Sequence, residues 1–126
     1  MSPTVLYIED HPDNMTLVRR ILQSESYTLI EAKTGFQGIL FAETQDIDVI
    51  LLDVNLPDID GYEVARRLRH STKKDLTHTP IVALTANAMK GDAEKALSAG
   101  CNAYMSKPIS IQALLEQVKK LTHTEA

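Results

Sequence analysis

Val49-Ile50-Leu51-Leu52-Asp53 decides the fold: four apolar residues without alternation, closed by an acid. A short continuous apolar run is the pattern of a strand covered on both faces, because side chains of neither parity meet water. Val5-Leu6-Tyr7-Ile8 repeats it and ends on Glu9-Asp10, and Ile81-Val82-Ala83-Leu84 repeats it again and ends on Thr85. Weaker runs at 28–31 and 103–106 complete five strand candidates, the last followed by Lys107. Between the runs the apolar residues take a helical period, and this alternation predicts an α/β fold of five βα units around a parallel sheet, with the two weaker runs at its edges.

The helices follow from the same spacing. Met15, Val18, Ile21 and Leu22 share one face of the first, and Ile111, Leu114, Leu115, Val118 and Leu121 share one face of the last, both core-facing. Thr34-Gly35-Phe36-Gln37 matches a capping box that starts the second. The third begins near Gly61 and runs through Val64, Ala65 and Leu68, after which residues 70–79 read as a solvated polar loop. The fourth spans about 89–99, with Gly91 near its start, a thin apolar face of Ala93, Ala96 and Leu97, and Gly100 as its stop.

A length of 126 residues suits one domain spanning 1–126 with no output domain, and one core. Against 17 acids stand 13 bases, giving a formal charge of -4, and no basic stripe forms, so direct nucleic-acid binding is disfavoured. Cys101 stands alone, which excludes an intramolecular disulfide and a thiol zinc site and predicts a buried free thiol. His11, His70, His78 and His123 lack ligand spacing and read as surface residues. No apolar run approaches 18 residues and no signal segment opens the chain, so a cytoplasmic protein with no membrane partner is expected.

Glu9, Asp10 and Asp53 would meet at the carboxyl edge of a parallel sheet, where open α/β folds bind ligands. Two carboxylates 4 Å apart repel by roughly 4 kcal/mol at a protein-surface dielectric, so three need a proton or a cation to coexist near pH 7. Mg²⁺ suits them, since it takes oxygen ligands, is held by one or two carboxylates and leaves room for a phosphoryl group. Thr85 and Lys107 would reach the same edge, and acid, hydroxyl and ammonium at successive strand ends suggest anion handling beside a metal.

Ile8-Glu9-Asp10, Asp53-Val54-Asn55-Leu56-Pro57-Asp58-Ile59-Asp60-Gly61, Leu84-Thr85-Ala86 and Ser106-Lys107-Pro108 together resemble the receiver domain of two-component response regulators. The likeness covers essentially the whole chain, and Ala83-Leu84-Thr85-Ala86-Asn87-Ala88-Met89-Lys90-Gly91-Asp92 is similar to stand-alone cell-cycle receivers and to those of hybrid kinases. The resemblance implies a doubly wound, flavodoxin-like (βα)5 fold with strand order 2-1-3-4-5. It implies that Asp53 is phosphorylated from a phosphohistidine on a sensor histidine kinase or histidine phosphotransfer protein. Asp10, Asp53 and the backbone carbonyl of Asn55 would then hold Mg²⁺, with Glu9 acting through water. Lys107 and Thr85 would attend the phosphoryl oxygens, and Lys107-Pro108 would be a cis peptide. Thr85 and Tyr104 match a switch pair that would reshape the face of the fourth helix, fifth strand and fifth helix for a downstream protein. Asn55 and Asn87 match positions that modulate loss of the phosphoryl group. The chain would be a monomer or weak homodimer, and no enzyme beyond its own phosphotransfer and autodephosphorylation.

His11 departs from the residues the family often carries there, which leaves the tuning of metal affinity open. An aspartyl-nucleophile hydrolase of the haloacid dehalogenase kind wants a second Asp where this chain has Asn55, which cannot donate the proton. A flavodoxin-like electron carrier wants a hydroxyl-rich phosphate loop where this chain has Glu9-Asp10-His11-Pro12-Asp13, which would repel phosphate. The remaining alternative is a receiver-like module that binds proteins without phosphorylation.

Overall fold

A computed structural model of the chain describes residues 2–86 and 91–122. The elements run β1 (Thr4–Ile8), α1 (Pro12–Ser24), β2 (Thr28–Ala32), α2 (Gly35–Thr44), β3 (Val49–Asp53), α3 (Gly61–Arg69), a 3₁₀ turn (Lys74–Thr77), β4 (Ile81–Thr85), α4 (Asp92–Ala99), β5 (Ala103–Ser106) and α5 (Ile111–Thr122). The sheet is parallel in the order β2-β1-β3-β4-β5, so the two weaker runs are indeed its edges.

Alternate residues of each central strand feed opposite cores. Leu6, Ile8, Ile50, Leu52, Ile81 and Ala83 pack against Ala42, Val64, Ala65, Leu68, Ala96 and Ala99 from α2, α3 and α4. Val5, Tyr7, Val49, Leu51, Val82 and Leu84 pack against Met15, Val18 and Leu22 of α1 and Leu114 and Val118 of α5. With both faces covered, all five residues of β3 and of β4 are buried, which is why these segments read as unbroken apolar runs. Each fully buried aliphatic side chain contributes roughly 1.5–3 kcal/mol of transfer free energy. None of the described helices is long and apolar enough to cross a membrane.

Caps hold the start of α2 and the end of α4. Thr34 Oγ1 accepts the Gln37 N–H at 3.0 Å, while the Gln37 side chain accepts the Lys33 N–H at 2.7 Å, a capping box displaced by one residue. Asp58 completes the start of α2 from across the chain, accepting from the Gly35 and Phe36 N–H groups at 2.8 and 3.0 Å. Thr34→Ala is expected to cost about 1 kcal/mol in urea unfolding, and an unchanged midpoint would show that water replaces the cap without loss. Gly100 ends α4 at φ 106°, a left-handed conformation, with the Cys101 N–H returned to Ala96 O at 2.9 Å and the Gly100 N–H to Leu97 O at 3.1 Å.

Three sequence expectations need correction. Residues 70–79 are solvated only in part: most are exposed, but the 3₁₀ turn buries Leu76 and Thr79 is buried beside it. Arg69 ties this segment down. Its guanidinium donates to Leu76 O at 2.6 Å, Thr79 O at 2.7 Å, Gly100 O at 2.9 Å and Asn102 Oδ1 at 2.8 Å. On α4 the buried residues are Ala96 and Ala99, while Leu97 is 57% exposed; the expected start near residue 89 lies outside the described residues. On α5 the buried stripe narrows to Leu114 and Val118, one turn apart, and Ile111 in the first turn is 50% exposed. Cys101 is buried and free, as expected, and burial pushes its thiol up to about 11. His11, His70 and His78 are exposed, and His123 lies outside the described residues.

Candidate functional site

The parallel register sets Ile8 opposite Leu52 and Asp53 opposite Leu84, so the next residues of β1 and β3 bring Glu9 beside Asp53. Both are buried, whereas Asp10, one residue on, is exposed. One carboxylate oxygen from each of Glu9, Asp10 and Asp53 lies within 4.8 Å of the others. Lys107, just past β5, places its Nζ 3.2 Å from Glu9 Oε1 and 3.2 Å from Asp53 Oδ1. The Lys107-Pro108 bond is cis.

Backbone and hydroxyl donors fix the rest. The Asn55 N–H donates to Asp53 Oδ1 at 3.0 Å and the His11 N–H to Glu9 Oε2 at 3.2 Å. The Tyr7 hydroxyl donates to Glu9 Oε1 at 2.8 Å. Gly61 closes the loop after β3: a Cβ there would lie 2.4 Å from Val54 Cα and 2.7 Å from Asp53 O, so only glycine allows this approach. Asp60 accepts the Tyr62 N–H at 3.0 Å and starts α3. A cleft of about 670 Å³ stands beside the cluster, lined among others by Asp10, Asn55, Thr85 and Asp92.

Burial pushes the Asp53 carboxyl up to about 6; the Asn55 N–H opposes this, the neighbouring Glu9 charge adds to it, and Lys107 opposes it. Burial works against the Glu9 charge as well, yet the Tyr7 hydroxyl, a proton shared with Asp53, Lys107 and the His11 N–H together hold Glu9 below the ordinary carboxylate range. Burial, with the Glu9 charge beside it, drives the Tyr7 hydroxyl far above the usual phenol range, so it stays a donor.

With all three carboxylates ionised against one ammonium, two negative charges remain, and the acidic ligands are all oxygen. That set fits a hard divalent cation of the Mg²⁺ kind. The sequence expectations for Glu9, Asp10, Asp53, Asn55, Thr85 and Lys107 thus fall at one edge. Tyr104 does not join them; it lies on β5 opposite Ala83 of β4 and is 40% exposed. Asn87 lies outside the described residues. Two participants escaped sequence reading. Tyr7 was legible in principle, since two residues before Glu9 on a strand means the same face. Asp92, whose Oδ2 accepts from Thr85 Oγ1 at 3.4 Å, carried no local signal.

The response regulator receiver domain family matches residues 5–119, nearly the whole sheet and its helices. The chain belongs to this family of two-component receivers. Among similar proteins, the polar-differentiation response regulator DivK of Brucella ovis is 38% identical over 119 residues, covering 94% of this chain and 95% of that one. The receiver domain of sensor histidine kinase PA1611 from Pseudomonas aeruginosa, solved with a magnesium ion coordinated in its active site cleft, is 36% identical with a TM-score of 0.88 over 97% of this receiver and 98% of its own chain. A chain from the co-crystal structure of the Saccharomyces cerevisiae histidine phosphotransfer protein Ypd1 with the receiver domain of Ssk1 is 28% identical, with a TM-score of 0.91 over 99% of this receiver and 92% of its own length.

Proposed function

We propose that this receiver is the phosphoacceptor of a two-component phosphorelay, with Asp53 taking a phosphoryl group from a phosphohistidine on a kinase or histidine phosphotransfer protein. The observation that carries this is the convergence of Glu9, Asp10 and Asp53 within 4.8 Å, with the Lys107 ammonium 3.2 Å from Asp53. An Asp53 oxygen forms the new bond to phosphorus, the phosphorus–nitrogen bond of the donor breaks, and its electron pair returns to the imidazole. The product is an acyl phosphate on Asp53.

Asp10, Asp53 and the Asn55 carbonyl would hold Mg²⁺, with Glu9 acting through water, and the ion supplies positive charge that neutralises phosphoryl oxygens. Lys107 contributes the protein's own cation there, and Thr85 donates a hydrogen bond to one phosphoryl oxygen. Catalysis on the receiver side is therefore mostly positioning and charge. The solved complex of Ypd1 with a related receiver supports a histidine phosphotransfer protein as donor.

The output surface is the face of α4, β5 and α5. Leu97, Tyr104 and Ile111, one from each element, are large apolar residues exposed at 57%, 40% and 50%. Thr85 ends β4 and touches Asp92, the first residue of α4, so drawing its hydroxyl toward a phosphoryl group loosens that contact and gives the Tyr104 ring a new place.

Acetyl phosphate with Mg²⁺ is expected to add the mass of one phosphoryl group to the intact protein, and none when the metal is chelated. Equal uptake in both conditions would overturn the magnesium reading, and no uptake in either would leave the protein a phosphorylation-independent binding module.

A further inference from the structure

We propose that the Tyr7 hydroxyl is a positioning group that keeps Glu9 oriented while Lys107 changes partners, and thereby strengthens magnesium binding. This rests on the phosphoacceptor reading and adds a residue to it. Tyr7 is fully buried in β1, and its ring belongs to the core that packs against α1 and α5. Its hydroxyl lies at the carboxyl edge, 2.8 Å from Glu9 Oε1.

That same oxygen receives Lys107 Nζ at 3.2 Å, while Oε2 takes the His11 N–H at 3.2 Å. Lys107 is also 3.2 Å from Asp53, so its ammonium is divided between the two acids. When a phosphoryl group forms on Asp53, new anionic oxygens compete for the ammonium, and Lys107 is drawn off Glu9. A buried carboxylate oxygen left with no donor is costly and free to rotate. Tyr7 prevents this. A phenol brings one hydrogen, no charge and a ring locked by packing, so it neither follows the phosphoryl group nor competes for it. Phenylalanine would fill the same core space; only the hydroxyl concerns the site.

The test is a double-mutant cycle read by calorimetric Mg²⁺ titration of the whole chain in excess beryllofluoride, which takes the place of the phosphoryl group on Asp53 and draws Lys107 off Glu9: wild type, Tyr7→Phe, Glu9→Gln and the combination, each checked for fold by circular dichroism. Tyr7→Phe is expected to weaken Mg²⁺ binding about tenfold, as loss of a group that orients a metal-site carboxylate does. In the Glu9→Gln background the same change is expected to matter less than about twofold, because the hydroxyl acts through the Glu9 carboxylate. Unchanged affinity in Tyr7→Phe overturns the proposal while leaving the phosphoacceptor reading in place. An equal loss with and without Glu9 assigns Tyr7 to the core alone and overturns it too. No Mg²⁺ uptake by the wild type overturns the phosphoacceptor reading and this inference together.

Discussion

Asp53→Asn is expected to abolish phosphoryl uptake from acetyl phosphate while making the metal-free protein more stable by about 2 kcal/mol at pH 7. The loss follows from chemistry: an amide oxygen is no nucleophile toward phosphorus, and of the other two carboxylates Asp10 is exposed while Glu9, though buried beside Lys107, has one oxygen taken by the Tyr7 hydroxyl and Lys107 and the other by the His11 N–H. The gain follows from linkage. Burial raises Asp53 from an ordinary 3.8 to about 6, so the folded state holds the proton more tightly than the unfolded state. Ionised Asp53 therefore weakens folding above about pH 6, and the penalty fades as pH falls toward the unfolded value near 4. Two units correspond to roughly 3 kcal/mol, reduced to about 2 because Glu9 shifts the opposite way in the same pair. Urea unfolding of both proteins in chelator, at pH 7 and again near pH 4, measures the difference. Equal labelling of the two rules out Asp53 as acceptor, and a variant less stable at pH 7 contradicts the burial penalty.

Arg69→Met is expected to lower stability by about 3 kcal/mol without changing Mg²⁺ binding or labelling. The guanidinium is a half-buried clamp with four oxygen acceptors, and none of the groups it holds is a carboxylate. Gly100 O lies at the carboxyl end of α4, where the helix dipole favours a cation. Removing the guanidinium frees the 3₁₀ turn and the entries to β4 and β5, and leaves partly buried carbonyls without a donor. Thr79 and Asn102 precede their strands, so this clamp stands at the sheet edge opposite the acids. A loss below about 1 kcal/mol in urea unfolding would mean that water already satisfies these carbonyls.

The contrast between these two residues explains what could be read in advance. Asp53 ends an unbroken apolar run, and both the run and its end are visible in neighbouring residues. Arg69 looks like any basic residue in the last turn of an amphipathic helix, and its four acceptors come from segments up to 33 residues away. Leu76 was missed for a related reason, since one leucine in a polar stretch has no period to mark it. Leu97 and Ile111 were placed inward because helical spacing counts apolar residues on a face without knowing how much of that face a neighbour covers.

The chain by itself determined five strands, that the central ones are covered on both faces, which acids stand at strand ends, and the caps at Thr34 and Gly100. All of these arise from interactions within a few residues or from the simple need to hide an apolar run. Only the tertiary structure decided that Tyr7 supports Glu9, that Lys107 is shared between two acids, that Asp92 meets Thr85 and that Arg69 holds the opposite edge. Those contacts depend on register and on the distance between strands, and the physics that selects them is the desolvation of polar groups brought together from far apart in sequence.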